Sequence, residues 1–148
     1  AENTSSFKAY GEGNHRHIPE IEHHIFNNTM KKVNIIFTPH LIPINRGILS
    51  TIYIKGNVED LEKLLKRKYN KEKFVLINKL GVLPKISDVI GTNNCRIGIL
   101  AHNKSNYVIL VSVIDNLIKG ASGQAVQNMN IVFNYPEDLG LDQQSFWP

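Results

Sequence analysis

Residues 95–114, "CRIGILAHNKSNYVILVSVI", decide the fold of this chain because they contain two apolar segments joined by a polar turn. Both segments are rich in β-branched residues, which favour strands, and "NKSN" between them has the composition of a turn. We therefore predict an antiparallel hairpin over 95–102 and 106–114. The second segment is apolar at nearly every position, which predicts that both faces of its strand are covered.

The elements on either side of this hairpin predict an α+β domain. Further strands are predicted over 6–10, 32–39, 48–55 and 73–78, and helices over 19–30, 56–70 and 115–135. Because strands and helices do not alternate regularly, we predict a mixed, largely antiparallel sheet with helices on one face, in one domain spanning 1–148. The other face of the sheet is then free to meet a second copy of the chain or a second domain.

The bulk composition excludes several classes of protein. The chain has 148 residues, 42% of them hydrophobic, which is enough for one domain with a core. The net charge of +4 is spread along the chain, which predicts no nucleic-acid partner but favours small anionic ligands. The single cysteine, Cys95, fits a reducing compartment, and no apolar run is long enough to cross a membrane. No signal peptide is visible, so we expect a cytoplasmic protein without a membrane partner.

Residues 15–24, "HRHIPEIEHH", hold most of the histidines of the chain. Pro19 suits the first turn of a helix, and a helix N-terminus beside Arg16 favours anions. His15 and His17 lie at the start of this helix, where an imidazole can move protons for a substrate that carries carboxylate or phosphate. The two histidines at the end of the stretch are interpreted as exposed helical residues.

A metal site is the alternative for the same stretch. In an extended segment residues two apart point the same way, so His15 and His17 could chelate one ion. Glu20 or His40 would complete three ligands and leave a position open for water. The sequence has no Cys pair and no His-x-x-x-His motif to support this alternative.

Two further stretches are candidates for binding groups. "FTPHLIPINRGIL" contains a rigid polar loop between two strands, in which Arg46 could hold a carboxylate through two hydrogen bonds. In "DNLIKGASGQAVQNMN", Asn116 lies at the start of the helix, while Gly120 and Gly123 are costly inside it. These glycines indicate close approach of a ligand or another backbone, with tight helix packing as the alternative.

The motifs that would complete an enzyme are missing from this sequence. It has no G-x-G-x-x-G after a strand, no P-loop and no G-x-S-x-G. Cys95 has only Arg96 as a basic neighbour and is interpreted as a packing residue, not as a nucleophile. The residues therefore indicate half of an active site, with groups for protons and anions but without a nucleophile or a nucleotide fold.

Four ordered motifs, "HRHIPEIE", "FTPHLIPINRGIL", "NNCRIGI" and "IDNLIKGASGQAVQNMN", resemble N-acetyl-gamma-glutamyl-phosphate reductase, and the match runs from Phe7 to the end. The last motif is shared in looser form with aspartate-semialdehyde dehydrogenase. The resemblance implies a glyceraldehyde-3-phosphate-dehydrogenase-like C-terminal domain, with 115–135 as the returning C-terminal helix. It also implies that the N-terminal Rossmann domain is absent. The first residue is not methionine, and we expect the chain to be a piece of a longer protein.

The reaction implied by the resemblance belongs to arginine biosynthesis. The family reduces N-acetylglutamyl 5-phosphate to the semialdehyde with NADPH through a cysteine thioester. In the family both that cysteine and most of the NADP site lie upstream, so the resemblance implies a fragment that is inactive alone. Its implied partners are the acyl phosphate, the missing Rossmann domain and a second copy of the chain, bound as a homodimer through the exposed sheet face.

The resemblance also implies roles for single residues. The catalytic histidine of the family falls at His15 or His17, and Glu20 is positioned in sequence to orient one of them. The implied substrate-binding candidates are Arg16, Glu20 and Arg46. The implied cofactor-binding candidates are Asn116, which matches the position that contacts the nicotinamide carboxamide, and Gly120, which with Gly123 lets the helix approach the cofactor domain. The alternatives are a metal-binding protein that uses His15, His17 and His40, and a non-catalytic oligomerisation domain.

Overall fold

The computed structural model describes residues 6–11, 13 and 15–145 of the chain. These residues divide into two compact units, unit 1 (Ala1–Asn45) and unit 2 (Arg46–Pro148). Residues 146–148, where the family resemblance ends, lie outside the described residues.

Unit 1 contains one helix and a two-stranded ladder. Strand β1 (Lys8–Ala9) pairs antiparallel with β2 (His40–Leu41). Helix α1 (His17–Thr29) lies between them in the chain and carries Pro19 in its first turn, as predicted. The helix ends at Met30, whose left-handed φ of 56° is typical of a residue that stops a helix.

The strand predicted over 32–39 does not form, and that prediction was wrong. The segment has no ladder partner among the described residues, and Ile36 is 97% exposed. Its backbone is held instead by helix α1, because Ile35 N–H donates to the Glu22 carboxylate at 3.0 Å. A β-branched composition favours a strand only where another backbone is available to pair with it.

Unit 2 contains a four-stranded mixed sheet in the order β3–β6–β5–β4. Its strands are β3 (Ile48–Lys55), β4 (Val75–Ile77), β5 (Cys95–Ala101) and β6 (Tyr107–Ile114). β5 and β6 form the predicted antiparallel hairpin, β3 pairs antiparallel with the other side of β6, and β4 runs parallel to β5. The predicted α+β class with a mixed, largely antiparallel sheet is confirmed.

Both faces of the central strand β6 are buried. On one face, Val111 and Val113 form a small core with Val89, which comes from the loop between β4 and β5. On the other face, Val108 and Leu110 are also buried. This two-sided burial explains the nearly continuous apolar run in β6, because an alternating pattern is expected only where one face meets water.

Helix α2 (Val58–Tyr69) forms where the sequence predicts it and contacts β4 and β5. Asn57 caps its N-terminus, since the Asn57 side-chain oxygen accepts the Asp60 N–H at 3.0 Å. None of the helices in the described ranges has both the length and the apolarity needed to cross a bilayer.

The final helix begins later than predicted. A π-helical turn spans Ile118–Ser122, and helix α3 spans Gly123–Val132, so the helical stretch is shorter than 115–135. Asp115 lies outside the helix because its carboxylate accepts the Leu117 N–H at 2.9 Å and the Ile118 N–H at 3.3 Å. A carboxylate that takes up free N–H groups in this way marks a helix start and not a helix interior.

Candidate functional site

The first candidate cluster is the pair of imidazoles at the start of helix α1 in unit 1. The ring centroids of His15 and His17 lie 4.7 Å apart, and His15 also contacts the rings of Tyr10 at 5.6 Å and Phe37 at 5.1 Å. His15 is half-buried by these contacts, whereas His17 is exposed. The structure thus brings the two predicted histidines together and encloses one of them in an aromatic setting.

His15 is also held by a hydrogen bond. Its Nδ1 accepts the backbone N–H of His17 at 3.3 Å. A ring whose Nδ1 is an acceptor carries its proton on Nε2 when it is neutral, and Nε2 is therefore the atom able to donate to a ligand. No hydrogen bond fixes the ring of His17 in the described part of the chain, so His15 is the better positioned imidazole.

The other candidates in unit 1 remain separate from this pair. Arg16 and Glu20 are exposed, and no hydrogen bond or ion pair links either of them to the imidazoles within the described ranges. His40 stacks on Phe7 at a centroid distance of 5.2 Å. Among the residues that the structure describes, no three His, Cys, Asp or Glu side chains are grouped as metal ligands, which removes the support for a site built from His15, His17 and His40.

The second candidate cluster lies in unit 2, around the carboxylate of Asp115. Arg46 Nη2 donates to Asp115 Oδ2 at 2.5 Å, and the Gly91 N–H donates to the same oxygen at 2.8 Å. With the two N–H groups of the helix start, this carboxylate accepts four hydrogen bonds while its side chain is 0% exposed. Arg46 therefore donates to a carboxylate of the protein itself through one nitrogen, and its predicted role in holding a substrate carboxylate through two hydrogen bonds stays a prediction.

The pKa of Asp115 is lowered from its ordinary value. Burial alone raises the pKa of this carboxyl, but the N–H groups of Gly91 and Leu117, together with the Arg46 guanidinium, outweigh it. The folded protein thus keeps Asp115 ionised at neutral pH. No local sequence pattern predicts this role, because Gly91 and Arg46 are distant from Asp115 in the chain.

Asn116 lies beside this carboxylate and joins the same structural element. Its side-chain oxygen accepts the Gly47 N–H at 2.6 Å, which ties the loop before β3 to the start of the final helix. The Asn116 side-chain amide is half-buried, and its N–H₂ group has no hydrogen-bond partner among the described residues. An anchored side chain with a free amide donor is suited to a ligand that offers a carbonyl oxygen.

The two predicted glycines have different surroundings. A Cβ on Gly123 would overlap the side-chain oxygen of Asn93, so this glycine allows close packing of α3. A Cβ on Gly120 would make only ordinary contacts, with Ile114 at 3.4 Å, Asp115 O at 3.7 Å and Asn116 Cβ at 3.8 Å, and Gly120 is exposed. Gly123 thus matches the packing alternative, while the cofactor role of Gly120 stays a prediction.

A buried polar network around Gln127 was not predicted. Its side-chain oxygen accepts from Lys119 Nζ at 2.8 Å and from Asn93 Nδ2 at 2.9 Å, and its nitrogen donates to Glu137 at 2.6 Å. Burial lowers the pKa of Lys119, against the raising effect of Cys95, Glu137 and another glutamate. The network links α3 to the segments on either side of it, and its role is structural.

A family model described as "Semialdehyde dehydrogenase, dimerisation domain" matches residues 1–116. Since this match covers more than half of the sequence, the chain belongs to that family. The N-acetyl-gamma-glutamyl-phosphate reductases of Staphylococcus saprophyticus and Staphylococcus aureus (strain Mu3) are similar to it along its whole length, with 48% and 45% identity. The predicted resemblance to these reductases is thereby confirmed, although the chain spans only 44% of the length of either relative.

Two solved structures share the fold. Aspartate semialdehyde dehydrogenase II from Vibrio cholerae superposes with a TM-score of 0.63 over 90% of this chain and 42% of that chain, at 15% identity. The aspartate semialdehyde dehydrogenase from Francisella tularensis gives a TM-score of 0.58 over 84% of this chain and 37% of that chain, at 18% identity. Identities this low support the fold and nothing finer.

Proposed function

We propose that this chain is the C-terminal, substrate-binding and dimerisation part of a cytoplasmic N-acetyl-gamma-glutamyl-phosphate reductase. In arginine biosynthesis, such an enzyme reduces N-acetylglutamyl 5-phosphate to the semialdehyde with NADPH. The observation that carries the proposal is the 48% identity to a reductase of that name over the whole chain. The half-buried, hydrogen-bonded imidazole of His15 is consistent with it, since acyl-phosphate reduction requires a proton donor.

In this proposal the Nε2–H of His15 donates a hydrogen bond to the oxygen that gains charge as the acyl group is reduced. Tyr10 and Phe37 hold the ring and exclude water from one side of it. His17 supplies the N–H that orients the ring. The exposed Arg16 remains a candidate for contact with a substrate carboxylate or phosphate, and Glu20 remains a candidate only for a donor group, because its own negative charge repels those anions. Because Asp115 occupies one edge of the Arg46 guanidinium, Arg46 would bind substrate only through its remaining N–H groups.

The nicotinamide nucleotide, when bound, supplies the hydride. Among the residues of this chain, Asn116 fits the carboxamide of that group, because its oxygen is anchored on Gly47 and its amide hydrogens are free to donate. Gly120 is exposed and has no side chain, so it leaves space for the same group. The rest of the nucleotide would be bound by the Rossmann domain that we propose lies upstream.

A large apolar surface at the end of α3 supports the proposed docking of that domain. The exposed side chains are Met129, Ile131, Val132, Phe133 and Tyr135, which are 47% to 73% exposed. Exposed apolar patches on this scale mark contact surfaces. Within α3 the buried residues are Gly123, Gln127 and Asn130, none of them a large apolar residue, so the apolar side chains of the helix are available for a partner.

The first test concerns activity. The chain alone, given acyl phosphate and NADPH, is expected to show no reductase turnover, because it lacks the nucleophile and the nucleotide domain. Joining it to the upstream segment of a Staphylococcus relative should restore NADPH oxidation that depends on the acyl phosphate. Turnover by the chain alone, or a folded fusion that stays inactive, would contradict the proposal and favour a non-catalytic oligomerisation domain.

The second test concerns the homodimer. All eight residues of the edge strand β3 are exposed, and its apolar side chains include Leu49 at 48% and Tyr53 at 66%. Leu49 and Tyr53 lie on the same face of the sheet, and an exposed apolar sheet face of this kind favours contact with a second chain. We expect sedimentation to give twice the chain mass of 16.8 kDa, and Leu49→Lys to shift the protein to monomer. Leu64→Lys, at a helical leucine that is 50% exposed, is the matched control and should leave the dimer intact.

A further inference from the structure

A polar cleft lies at the β4–β5 edge of the sheet in unit 2, away from the edge formed by β3. It has a volume of about 460 Å³ and is lined by Asn78, Lys79, Val82, Leu83, Lys85, Asp88 and Arg96. None of these residues takes part in the Asp115 cluster or in the polar network around Gln127. The cleft is therefore a separate feature that the proposed reductase function does not use.

The rim of the cleft is held in place by backbone hydrogen bonds. Asn78 N–H and Gly81 N–H donate to carbonyls of strand β5 at 2.8 and 2.9 Å, and Val82 N–H closes a tight turn on Lys79 at 3.0 Å. Gly81 adopts a φ of +82°, which this turn requires and which a side chain would strain. The rim is thus a built structure and not an open loop.

Gly98 brings the rim close to the sheet. A Cβ at this position would lie 2.6 Å from both Pro84 Cδ and the Val82 carbonyl oxygen, so only glycine lets the loop lie on the strand. Arg96 is two residues earlier on β5 and therefore points to the same face. The loop that packs against Gly98 contains Val82, Leu83 and Pro84. The Arg96 guanidinium lies beside this loop and therefore lines the cleft.

The charges in the cleft are strongly one-sided. Lys79, Lys85 and Arg96 bring three cations, and no ion pair reaches any of them in the part of the chain that the structure describes. The single carboxylate, Asp88, already accepts the backbone N–H of Lys85 at 3.0 Å. Arg96 Nε is buried and has no hydrogen-bond partner among the described residues.

A buried donor of a charged group without a partner is costly, and native structures seldom leave one unsatisfied. A guanidinium binds a phosphate or a carboxylate through two parallel N–H···O bonds, and adjacent ammonium groups add attraction for the same charge. A phosphate or carboxylate in the cleft would be bound by the guanidinium of Arg96, which lines the cleft, and by the excess of positive charge around it.

We propose that this cleft binds the phosphate or carboxylate group of a small anion, with Arg96 as the principal contact and Lys79 and Lys85 as supporting cations. The half-exposed side chains of Val82 and Leu83 form an apolar wall on which a short carbon chain of the ligand rests. The site is independent of the proposed active site, so its test does not depend on reductase activity.

The test follows the Arg96 Nε–H signal by ¹H–¹⁵N NMR of the 148-residue chain while inorganic phosphate is added at constant ionic strength. We expect a saturable shift of that signal and of the Lys79 and Lys85 amides. Arg96→Gln should weaken phosphate binding about tenfold or more, because it removes a charge-assisted pair of hydrogen bonds. Arg67→Gln, on the exposed face of α2, is the matched control and should leave the affinity unchanged. A parallel titration with succinate distinguishes a phosphate site from a carboxylate site.

The proposal is overturned if the shift follows ionic strength without saturating for both anions, or if Arg96→Gln binds as tightly as the unmodified chain. Circular dichroism of Arg96→Gln verifies that the variant is folded. If it is not folded, Lys85→Gln at an exposed position replaces it as the test, with an expected weakening of about threefold. Unchanged affinity in that variant would then count against the site.

Discussion

Asp115→Asn is expected to lower the free energy of unfolding at pH 7 by about 3 kcal/mol or more, because it breaks a buried ion pair and its hydrogen bonds. The carboxylate accepts from Arg46 and Gly91 on one oxygen and from Leu117 and Ile118 on the other. An amide has one oxygen and one N–H₂ group, so whichever way it is turned it presents donors to donors. Urea denaturation of the two proteins at pH 7 measures the difference.

The difference in the free energy of unfolding between the unmodified chain and Asp115→Asn should depend on pH in a defined direction. The pKa of Asp115 is depressed in the folded protein below its ordinary value of 3.8, so its ionised form stabilises the fold. That contribution is fully present above the unfolded pKa and is lost as the pH falls through the folded pKa. The stability gap between the unmodified chain and Asp115→Asn should therefore be constant near neutral pH and shrink below about pH 4.

Asp142→Asn is the matched control, because Asp142 is exposed and has no hydrogen-bond or ion-pair partner within the described ranges. It should change the free energy of unfolding by less than about 0.5 kcal/mol at any pH in this series. If Asp115→Asn also changed the free energy of unfolding at pH 7 by less than about 0.5 kcal/mol, the hydrogen bonds around the carboxylate would contribute little to stability. The cluster would then not be what holds the start of the final helix.

The sequence predicted the features of this fold that depend on local pattern. The hairpin of β5 and β6, helix α2 and strand β3 all follow from composition and spacing, and the structure contains them where expected. These features involve neighbours in the chain or a single periodic face. The sequence pattern alone is therefore enough to predict these elements, without knowledge of the tertiary fold.

The features that the sequence did not predict depend on contacts between distant residues. The segment 32–39 has strand composition, but whether it pairs is decided by a backbone that lies elsewhere. The start of the final helix shifts to Ile118 because Asp115 is held by Arg46, which is far away in the chain. Arg96 was noted only as a neighbour of Cys95, since nothing local reveals that Gly98 admits a loop beside it.

The histidine pair shows the same limit at the candidate site. Spacing and family resemblance limited the candidates for the proton donor to His15 and His17 but did not decide between them. The separation comes from two contacts that no motif encodes, the ring contact of His15 with Tyr10 and the acceptance of a backbone N–H by His15 Nδ1. These contacts favour His15, and kinetics of the complete enzyme can test the choice.

In the fusion of this chain with the upstream reductase segment, His15→Asn is expected to lower kcat by about 10²–10⁴-fold, the usual loss when a general acid is removed. The substrate KM should change much less, because the proton is needed for the chemical step and not for binding. His17→Asn should cost less, since its backbone N–H, which orients the His15 ring, is retained in the variant. Steady-state NADPH oxidation measures the kcat and KM of the unmodified fusion and of the two variants.

His23→Asn is the control for these variants, because His23 is exposed on helix α1 and, among the described residues, its ring contacts its helical neighbours His24 and Asn27 alone. Its kcat should match that of the unmodified fusion. A larger loss in His17→Asn than in His15→Asn would reverse the assignment, because the exposed ring would then be the one that reaches the substrate. Equal and small losses in both would remove the pair from the chemistry and leave the proton donor to the upstream segment.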